Sequence, residues 1–548
     1  MKKWKVLSTN KNIASESTVI DELFRLRKIS DKDKFINPNV SDLKIENTSI
    51  SKKEIAKTIN RIEKAINNKE RIIILGDYDV DGICASAILW ETIYSKYKFV
   101  FPYIPDRFSE GYGISNKTID NLLKKNPDTK LIITVDNGIV ANKPIEYAKE
   151  KKIDVVVTDH HVAGKKLPDA YSIVHTTELC GAGVAYLLAK EIKNKILKIK
   201  DYGEEHLGLA ALATVADLVP LTSLNRIIVK LGLKELQNTR RLGLIELFKL
   251  AKINKKDLGV YEIGHIIGPR LNASGRIDHA IESLRLLCSN DKKYVENAAM
   301  LLENTNRVRQ QMVADSFQHA KLSVAAGGDM GKVVIMHHST YSEGVVGLIA
   351  SRLVEQYYRP SVAISVREKI SKGSARSING VNIVELLRSV SGILSEVGGH
   401  PMAAGFSIET ERIEEFYLAL NKEAKKIPDK LFERELKVDM EIPLNLVSES
   451  LYKKIQKLSP FGMGNPEPAF LVKNVQVESF KRLGKDGAHL KVFFKKGKDI
   501  IEGIGFGMGE SEVMAGDKID AVFTIDINNW RDKKSLQLKL RDIKFKQI

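Results

Sequence analysis

Four short apolar runs between residues 71 and 161, separated by patterns typical of helices, constrain the fold most strongly. They read RIIIL, KFVFPYIP, LIITV and DVVVT. Apolar runs of this length, alternating with helices, are typical of parallel strands that are covered on both faces. The sequence therefore predicts an α/β domain built on a parallel sheet, and such sheets bind ligands at the carboxyl ends of their strands.

The pattern changes several times after residue 180. Residues 180–325 have mostly helical periodicity, and their last part contains neither Gly nor Pro, which predicts a long connecting helix. A second α/β block begins at GKVVIMHHS, and five strand-like runs after residue 470 predict a small closed barrel of antiparallel strands, an OB-fold. The predicted units are an N-terminal extension (1–50), a first α/β domain (51–280), a connecting helix (281–325), a second α/β domain (326–428) and a barrel domain (429–548).

The charge balance favours a polyanionic partner. The chain has 86 Lys and Arg against 69 Asp and Glu, a formal net charge of +17. Such an excess favours nucleic acid first and an acidic membrane surface second, although a solvated, lysine-rich surface is the simpler alternative. We expect a cytoplasmic protein, because the chain has no apolar run long enough to span a membrane, no signal-peptide pattern and three cysteines without metal-binding or disulfide-like spacing.

An unusual acidic cluster follows the first apolar run. Asp77, Asp79 and Asp81 lie within five residues and are followed by Gly82. Three neighbouring carboxylates repel one another unless a cation neutralises them. An EF-hand loop is excluded, since its twelfth position should be Glu and is Ile88 here, and a strand rather than a helix precedes the loop.

Further carboxylates and imidazoles follow the later apolar runs. Asp136 follows LIITV, the triplet Asp159, His160 and His161 ends DVVVTDHH, and Asp217 follows an apolar helix. Any one of these residues alone is more simply explained as a helix cap or a structural histidine. Together, at one edge of a parallel sheet, they predict a paired Mn²⁺ or Mg²⁺ site.

Residues suited to anion binding occur elsewhere. Arg107, Arg270, Arg276 and Arg376 lie among small residues in PDRFSEGYG, GPRLNASGR and KGSARS, which favours phosphate contact over surface salt bridges. His400 lies in GGHPMAAG, where the glycines permit either a substrate loop or a plain turn. The pair His337-His338 has no acidic cluster beside it, so a structural role is favoured there.

Two sets of motifs carry a resemblance to a known family. DYDVDG, TVDNG, VTDHH and ATVADLVPL, in this order, resemble the DHH phosphoesterase superfamily. PDRFSEGYG, GPRLNASGR, SEGVVGLIASR, KGSARS, GGHPMAAG and SPFGMGNPEP are similar to the RecJ family of bacterial exonucleases specific for single-stranded DNA. The similarity extends over nearly the whole chain. It implies that the first domain is a DHH domain, the second a DHH-associated domain that clamps substrate, and the barrel a nucleic-acid-binding domain.

The resemblance implies a site for two metal ions, either Mn²⁺ or Mg²⁺. By the motifs, two carboxylates each ligate one metal, a third bridges both, and an imidazole and a fourth carboxylate complete the coordination. These residues are, in that order, Asp79 and Asp81, then Asp136, then His160 and Asp217.

The other residues of the motifs adjoin the metals. Asp77 and His161 are implied to lie beside them, with His161 near the scissile phosphate, and Asp159 is implied to orient an imidazole. Some relatives have a histidine where this chain has Leu75, so water or Asp77 is expected to fill that position.

The resemblance also implies the residues that contact substrate. Arg107, Ser374 and Arg376 are expected near the terminal 5′-phosphate, and Arg276 and His400 near the scissile region. Several aromatic side chains of the barrel could stack on bases, although for any one of them a place in the core is the favoured interpretation: Phe480, Phe493, Phe506 and Trp530.

The function that follows is a 5′-to-3′ exonuclease in DNA repair and recombination, which releases 5′-mononucleotides from single-stranded DNA by two-metal phosphodiester hydrolysis. The family implies a monomer that works with a single-strand-binding protein and a RecQ-type helicase. Two alternatives remain open: a DHH-type phosphatase or oligoribonuclease acting on short substrates, and a non-catalytic single-strand-binding scaffold.

Overall fold

A computed structural model gives the fold and describes residues 2–106, 109–111, 113–199, 206–277, 280–326, 330–530 and 533–545. The side chains of residues 276, 277, 529, 530 and 533 lie outside this description. The N-terminal segment contains one strand and two helices: β1 (Lys3–Val6), α1 (Glu16–Leu26) and α2 (Lys32–Ile36).

The first domain is built on a five-stranded sheet whose strand order is β3-β2-β4-β5-β6, and all four of these pairings are parallel. On β2, Ile72 and Ile74 face one hydrophobic core, and Ile73 and Leu75 face another on the opposite side. This confirms the prediction of a parallel sheet covered on both faces. Its elements are α3 (Lys52–Asn67), β2 (Arg71–Gly76), α4 (Val80–Tyr94), β3 (Val100–Tyr103), α5 (Asn116–Lys125), β4 (Thr129–Val135), α6 (Asn142–Glu150), β5 (Asp154–Asp159), β6 (Ser172–His175), α7 (Gly181–Ile192), α8 (Leu207–Ala216), α9 (Ser223–Gln237), α10 (Leu242–Leu250), α11 (Val260–Glu262) and α12 (Gly268–Ile277).

Two helices, rather than one, occupy the predicted connecting region. A short helix, α13 (Ile281–Cys288), precedes the long helix α14 (Lys292–Ala326). With 35 residues, α14 is about 50 Å long at 1.5 Å per residue. Its first half contributes Val295 and Leu302 to the core of the first domain, and its second half contributes Val313 to the core of the second. The helix is therefore packed into both domains.

The second domain has a five-stranded mixed sheet, in the order β10-β11-β9-β8-β7. Only β7 and β8 pair in parallel among these described strands. Helices cover both faces, with α15 on one side and α16 and α17 on the other. The elements are β7 (Val334–His338), α15 (Val346–Tyr357), β8 (Ser361–Ser365), β9 (Ile370–Arg376), α16 (Ile383–Arg388), β10 (Leu394–His400), β11 (Ala403–Glu409) and α17 (Ile413–Ala424).

The C-terminal domain contains the predicted closed barrel. Its strands neighbour one another in the order β14-β15-β16-β18-β17, and β17 closes the ring against β14. The expectation of purely antiparallel strands was wrong for one pairing, since β16 and β18 run parallel. An odd number of strands in a closed ring cannot alternate in direction throughout, so one parallel pair is required. The elements are β12 (Glu435–Val438), β13 (Met440–Glu441), α18 (Glu449–Gln456), β14 (Phe470–Leu483), β15 (His489–Lys496), β16 (Asp499–Gly505), β17 (Lys518–Trp530) and β18 (Lys533–Phe545).

The N-terminal segment packs on the C-terminal domain, although the sequence suggested only an extension. Strand β1 pairs in parallel with β12, and Trp4 donates a 2.7 Å hydrogen bond to Asp542. From α1, Val19, Leu23 and Phe24 enter the same core as the barrel strands. The two ends of the chain therefore share one hydrophobic core. Among the described helices, none combines the length and apolar character that a membrane span requires.

Candidate metal centre

The acidic cluster lies where β2 ends and α4 begins. Asp79 caps α4, because its carboxylate accepts hydrogen bonds from the backbone N–H groups of Asp81 at 2.9 Å and Gly82 at 3.1 Å. A Cβ atom on Gly82 would lie 2.6 Å from the backbone of Asp77. Glycine is required at this position because the chain folds so tightly that no side chain fits.

Asp81 is held by a second helix. Its carboxylate accepts hydrogen bonds from the N–H groups of Gly181 at 2.7 Å and Ala182 at 2.6 Å, in the first turn of α7. The unpaired N–H groups and the dipole of a helix N-terminus stabilise a carboxylate there. Sequence reasoning missed this contact, although the small residues of GAG permit the close approach.

Two neighbouring strands and one helix bring the remaining ligand candidates to the same sheet edge. Asp136 follows β4 in the left-handed region, with φ +61°, and Asp159 is the last residue of β5. Asp217 ends α8. Asp81 and Asp136 are each only 2% exposed.

His160 lies at the centre of this arrangement. Its Nε2 atom is 3.1 Å from Asp136 Oδ1, 3.6 Å from Asp81 Oδ2 and 3.8 Å from Asp217 Oδ2. Among the residues that the structure describes, three groups have ligand atoms that all lie within 4.8 Å of one another: Asp77, Asp79 and Asp136; Asp136, His160 and His161; and Asp81, His160 and Asp217. Carboxylate oxygens and imidazole nitrogens at such spacing fit Mn²⁺ or Mg²⁺. Because Asp136 and His160 belong to two groups each, the set fits two neighbouring ions.

The raised pKa values of the buried carboxyl groups also favour a bound cation at this site. Burial, together with the charge of Asp79, raises the pKa of Asp81, and burial and the charge of Asp81 raise the pKa of Asp136 well above its ordinary value. For Asp217, burial and the charges of Asp81 and Asp79 raise the pKa to about 8. Carboxylates crowded in this way are stabilised in their charged form by a cation.

Asp159 and His161 form a separate pair beside these groups. His161 Nδ1 lies 2.8 Å from Asp159 Oδ1, and the carboxylate also accepts hydrogen bonds from the N–H groups of Ile139, His160 and His161. Burial opposes the charge of Asp159, but the bond to His161, the charge of that ring and the backbone hydrogen bonds together outweigh burial and lower the pKa of the carboxyl group. Burial likewise opposes protonation of His161, yet its bond to Asp159 and the charges of the surrounding carboxylates together raise its pKa. With Nδ1 engaged by Asp159, the opposite ring nitrogen, Nε2, is the one turned away from that carboxylate.

A cavity of about 620 Å³ in the second domain contains two predicted substrate residues. Arg376 on β9 donates 2.9 Å hydrogen bonds to Ser374 Oγ and to the Ala375 carbonyl, and within the described part of the chain no carboxylate lies within ion-pair distance of it. Gly347 borders the guanidinium, since a Cβ there would lie 2.8 Å from Arg376 Nη2. A half-buried cation among glycines and serines suits an anionic ligand.

The other predicted substrate residues are placed differently. Arg107 and the side chain of Arg276 lie outside the described residues. Arg270 forms a 2.6 Å ion pair with Glu303 of α14, which joins α12 to the long helix. His400 is exposed at the end of β10 and does not line the cavity that contains Arg376.

The sequence also singled out the pair His337-His338 and four aromatic residues of the barrel. The ring of His338 lies 4.4 Å from that of His319, and His337 Nε2 lies 3.7 Å from the carboxylate of Glu414. Among the barrel aromatics, Phe506 is 65% exposed, and Phe480 packs in part against the core. Phe493 is half-buried, and the side chain of Trp530 lies outside the description.

Comparison with protein-family models matches three segments of the chain. Residues 71–214 match the N-terminal domain of the DHH family, residues 330–426 match the DHHA1 domain, and residues 438–542 match the RecJ OB domain. These segments correspond to the parallel-sheet domain, the second domain and the barrel described above.

Similar proteins cover most of the chain. The single-stranded-DNA-specific exonuclease RecJ of Bacillus subtilis is 36% identical over 504 residues, 89% of this chain; the chain spans 63% of that relative's length. The RecJ protein of Thermus thermophilus is 30% identical over 490 residues, 88% of this chain and 70% of the relative. A crystal structure of RecJ in complex with Mn²⁺ from Thermus thermophilus superposes with a TM-score of 0.85 and 26% identity, over 100% of this chain and 80% of that one.

Proposed function

The chain belongs to the RecJ family of single-stranded-DNA-specific exonucleases, and from this we propose that it degrades single-stranded DNA from the 5′ end and releases 5′-mononucleotides. The observation that carries the proposal is the position of His160, whose Nε2 lies within 4 Å of carboxylates from three separate segments. The complete set of acids argues against a non-catalytic scaffold, and the barrel argues against an enzyme restricted to very short substrates.

We assign the metal ligands as the family motifs imply. Asp79 and Asp81 would each hold one ion, Asp136 would be shared between them, and His160 and Asp217 would complete the site. The proximity of Asp77 to Asp79 and Asp136 supports a role for it in the position where other relatives have a histidine and this chain has Leu75. When bound, two divalent ions supply charge neutralisation and Lewis acidity, which hydrolysis of an anionic phosphodiester requires.

The remaining groups orient the substrate. Asp159 holds the ring of His161 through Nδ1 and keeps that imidazole protonated over a wider pH range, since the pair raises the pKa of His161. We assign His161 Nε2 to the scissile phosphate, where a donated hydrogen bond stabilises the charge that develops on its oxygens. The backbone contacts from α7 to Asp81 fix a carboxylate in advance of substrate binding.

Substrate polarity is assigned to the second domain. Ser374 and Arg376, with Arg107, are proposed to bind the terminal 5′-phosphate, and Arg276 and His400 to lie near the scissile region. The half-buried guanidinium of Arg376 and its bond to Ser374 support the first part of this assignment. The barrel is proposed to hold the strand further along, with the exposed Phe506 as a stacking surface.

The setting in the cell follows from the same family membership. We assign the protein to the cytoplasm as a monomer that acts in DNA repair and recombination. A single-strand-binding protein and a RecQ-type helicase are its proposed partners.

A labelled-strand digestion tests this function. A long oligonucleotide with a 5′-label, single-stranded or annealed to its complement, is incubated with Mn²⁺ or Mg²⁺. We expect the label to appear at once as a mononucleotide, only from the single strand, and a 3′-labelled strand to shorten gradually.

Two variants complete the test. Asp136→Ala should abolish digestion, and Asp169→Ala, which removes an exposed carboxylate paired with Lys149, should not. Digestion by Asp136→Ala at the wild-type rate would exclude the metal mechanism.

A further inference from the structure

Asp217 is anchored differently from the other acids of the metal centre. The carboxylates of Asp79 and Asp81 each accept two backbone hydrogen bonds. Among the described residues, none donates a hydrogen bond to the carboxylate of Asp217, and its side chain is 29% exposed, against 2% for Asp81. The position of this carboxylate therefore depends on where the backbone around it lies.

The segment that follows Asp217 is covered by a turn of the C-terminal domain. The N–H of Leu221 donates a 2.7 Å hydrogen bond to the carbonyl of Met463. A Cβ on Gly464 would lie 2.9 Å from Pro220 Cβ, and a Cβ on Gly462 would lie 2.7 Å from Leu221 Cδ1. The 461–465 turn is thus in direct contact with the 218–222 segment, and its glycines are what permit this contact.

The turn itself is rigidly held. Gly462 and Asn465 exchange backbone hydrogen bonds of 2.9 and 3.2 Å, and the buried amide of Asn465 donates to the carbonyls of Leu458 and Pro460. Arg27, the residue that follows α1, donates to Asn465 Oδ1 at 3.1 Å and pairs with Asp439. These bonds tie the turn to the C-terminal domain and to the end of α1.

We propose that the 461–465 turn is a positioning element for Asp217, by which the C-terminal domain sets the geometry of the ion held by Asp81, His160 and Asp217. The inference rests on the proposed function, since it assumes that these residues bind a metal. It gives SPFGMGNPEP, a motif with no chemistry of its own, a role in the metal centre. Because binding free energies are reciprocal, a strand bound on the barrel and an ion bound at Asp217 should influence each other's affinity.

Gly464→Ala tests the proposal in the full chain. The new methyl group meets Pro220, and the residue has φ +73°, so the 218–222 segment must move. Gly497→Ala is the matched control: its φ is +63°, it lies in the same domain, and its Cβ would have nothing within 4 Å. Backbone strain is thus similar in the two variants, and only Gly464→Ala contacts the segment next to Asp217.

The readout is Mn²⁺ binding, followed by calorimetric titration and by electron paramagnetic resonance. If the turn had only a structural role, Gly464→Ala would leave the Mn²⁺ affinity unchanged. We expect Gly464→Ala to weaken one of two Mn²⁺ sites by about 10-fold to 100-fold, as for other residues that orient a metal ligand, and Gly497→Ala to leave both unchanged. Binding of a fluorescent single strand in EDTA should be the same for both variants. If Gly464→Ala does not fold, Gly462→Ala replaces it, since its methyl group would lie 2.7 Å from Cδ1 of Leu221, a buried side chain of the 218–222 segment, and in ordinary contact with Val260.

The outcomes separate the two proposals. Two wild-type-like Mn²⁺ sites in a folded Gly464→Ala or Gly462→Ala protein would overturn the positioning role and leave the nuclease proposal intact. A wild-type chain that binds no Mn²⁺ would overturn both.

Discussion

Gly181 offers a direct test of the geometry at the centre of the site. It lies in the first turn of α7, where its N–H binds Asp81, and a Cβ added to it would lie 2.6 Å from Asp136 Cβ and 2.8 Å from Asp136 Oδ1. Ordinary van der Waals contact begins at 3.4 Å, so the methyl group of Gly181→Ala must displace Asp136 by about 0.8 Å. Helix propensity works the other way, since alanine in place of glycine favours a helix by about 1 kcal/mol.

Gly181→Ala should therefore lose activity while its stability stays nearly unchanged. A misplacement of about 1 Å can cost on the order of 100-fold in rate, so we expect Gly181→Ala to lose about that much digestion of single-stranded DNA with Mn²⁺. Mn²⁺ affinity, measured by calorimetric titration, should fall as well. The melting temperature in EDTA should change little, because the clash and the gain in helix propensity oppose each other.

Gly183→Ala is the control, two residues further along the same helix. Its Cβ would lie 3.1 Å from the Leu179 side chain and away from the acids. It should gain the same helix propensity and keep wild-type activity and Mn²⁺ binding. If Gly181→Ala also keeps both, Asp136 is not held where the structure places it, and the reasoning about a shared bridging carboxylate fails.

Three further predictions concern groups outside the ligand set. Asp159→Asn should lower single-strand digestion by about 10-fold to 100-fold in steady-state assays, because the amide no longer favours the protonated ring of His161. A variant that digests DNA at the wild-type rate at every pH would contradict this. Burial opposes the charge of Glu91, but its hydrogen bonds to Arg241 and His206 lower its pKa to about 2. The stability that Glu91 contributes is therefore complete above pH 4.5 and is lost as the pH falls towards 2. In thermal melts, Glu91→Gln should lose up to about 3 kcal/mol of stability at pH 7, and the difference from wild type should shrink below pH 4.5. Phe24→Ala should cost about 3 to 5 kcal/mol in urea unfolding of the C-terminal domain if α1 belongs to its core, with Val6→Ala, half-exposed, as the near-neutral comparison.

The sequence was most informative where its signal was local. A strand of isoleucines followed at once by Asp77 and Asp79 predicts both the fold and the position of those acids, because the carboxyl ends of parallel strands share one edge. The same reasoning placed Asp136, Asp159 and His160 correctly at the sheet edge.

Contacts between distant segments left no such signal. The bonds from Gly181 to Asp81, the pair between Arg270 and Glu303, and the pairing of β1 with β12 join residues 100, 33 and more than 400 positions apart. No periodicity within one segment records which other segment it meets. The roles of Arg270 and of the N-terminal segment were therefore beyond reach of the sequence, whereas the strands and helices themselves were not.

The shared core of the chain's two ends has a consequence for synthesis on the ribosome. Strand β1 and helix α1 are synthesised well before their partners, which begin at Glu435. At about 5 to 20 residues per second, Leu23 and Phe24 wait on the order of 20 to 90 seconds for the surface that buries them. During that interval the apolar face of α1 has no native partner and is a natural ligand for a chaperone, while the two α/β domains complete their folding behind it.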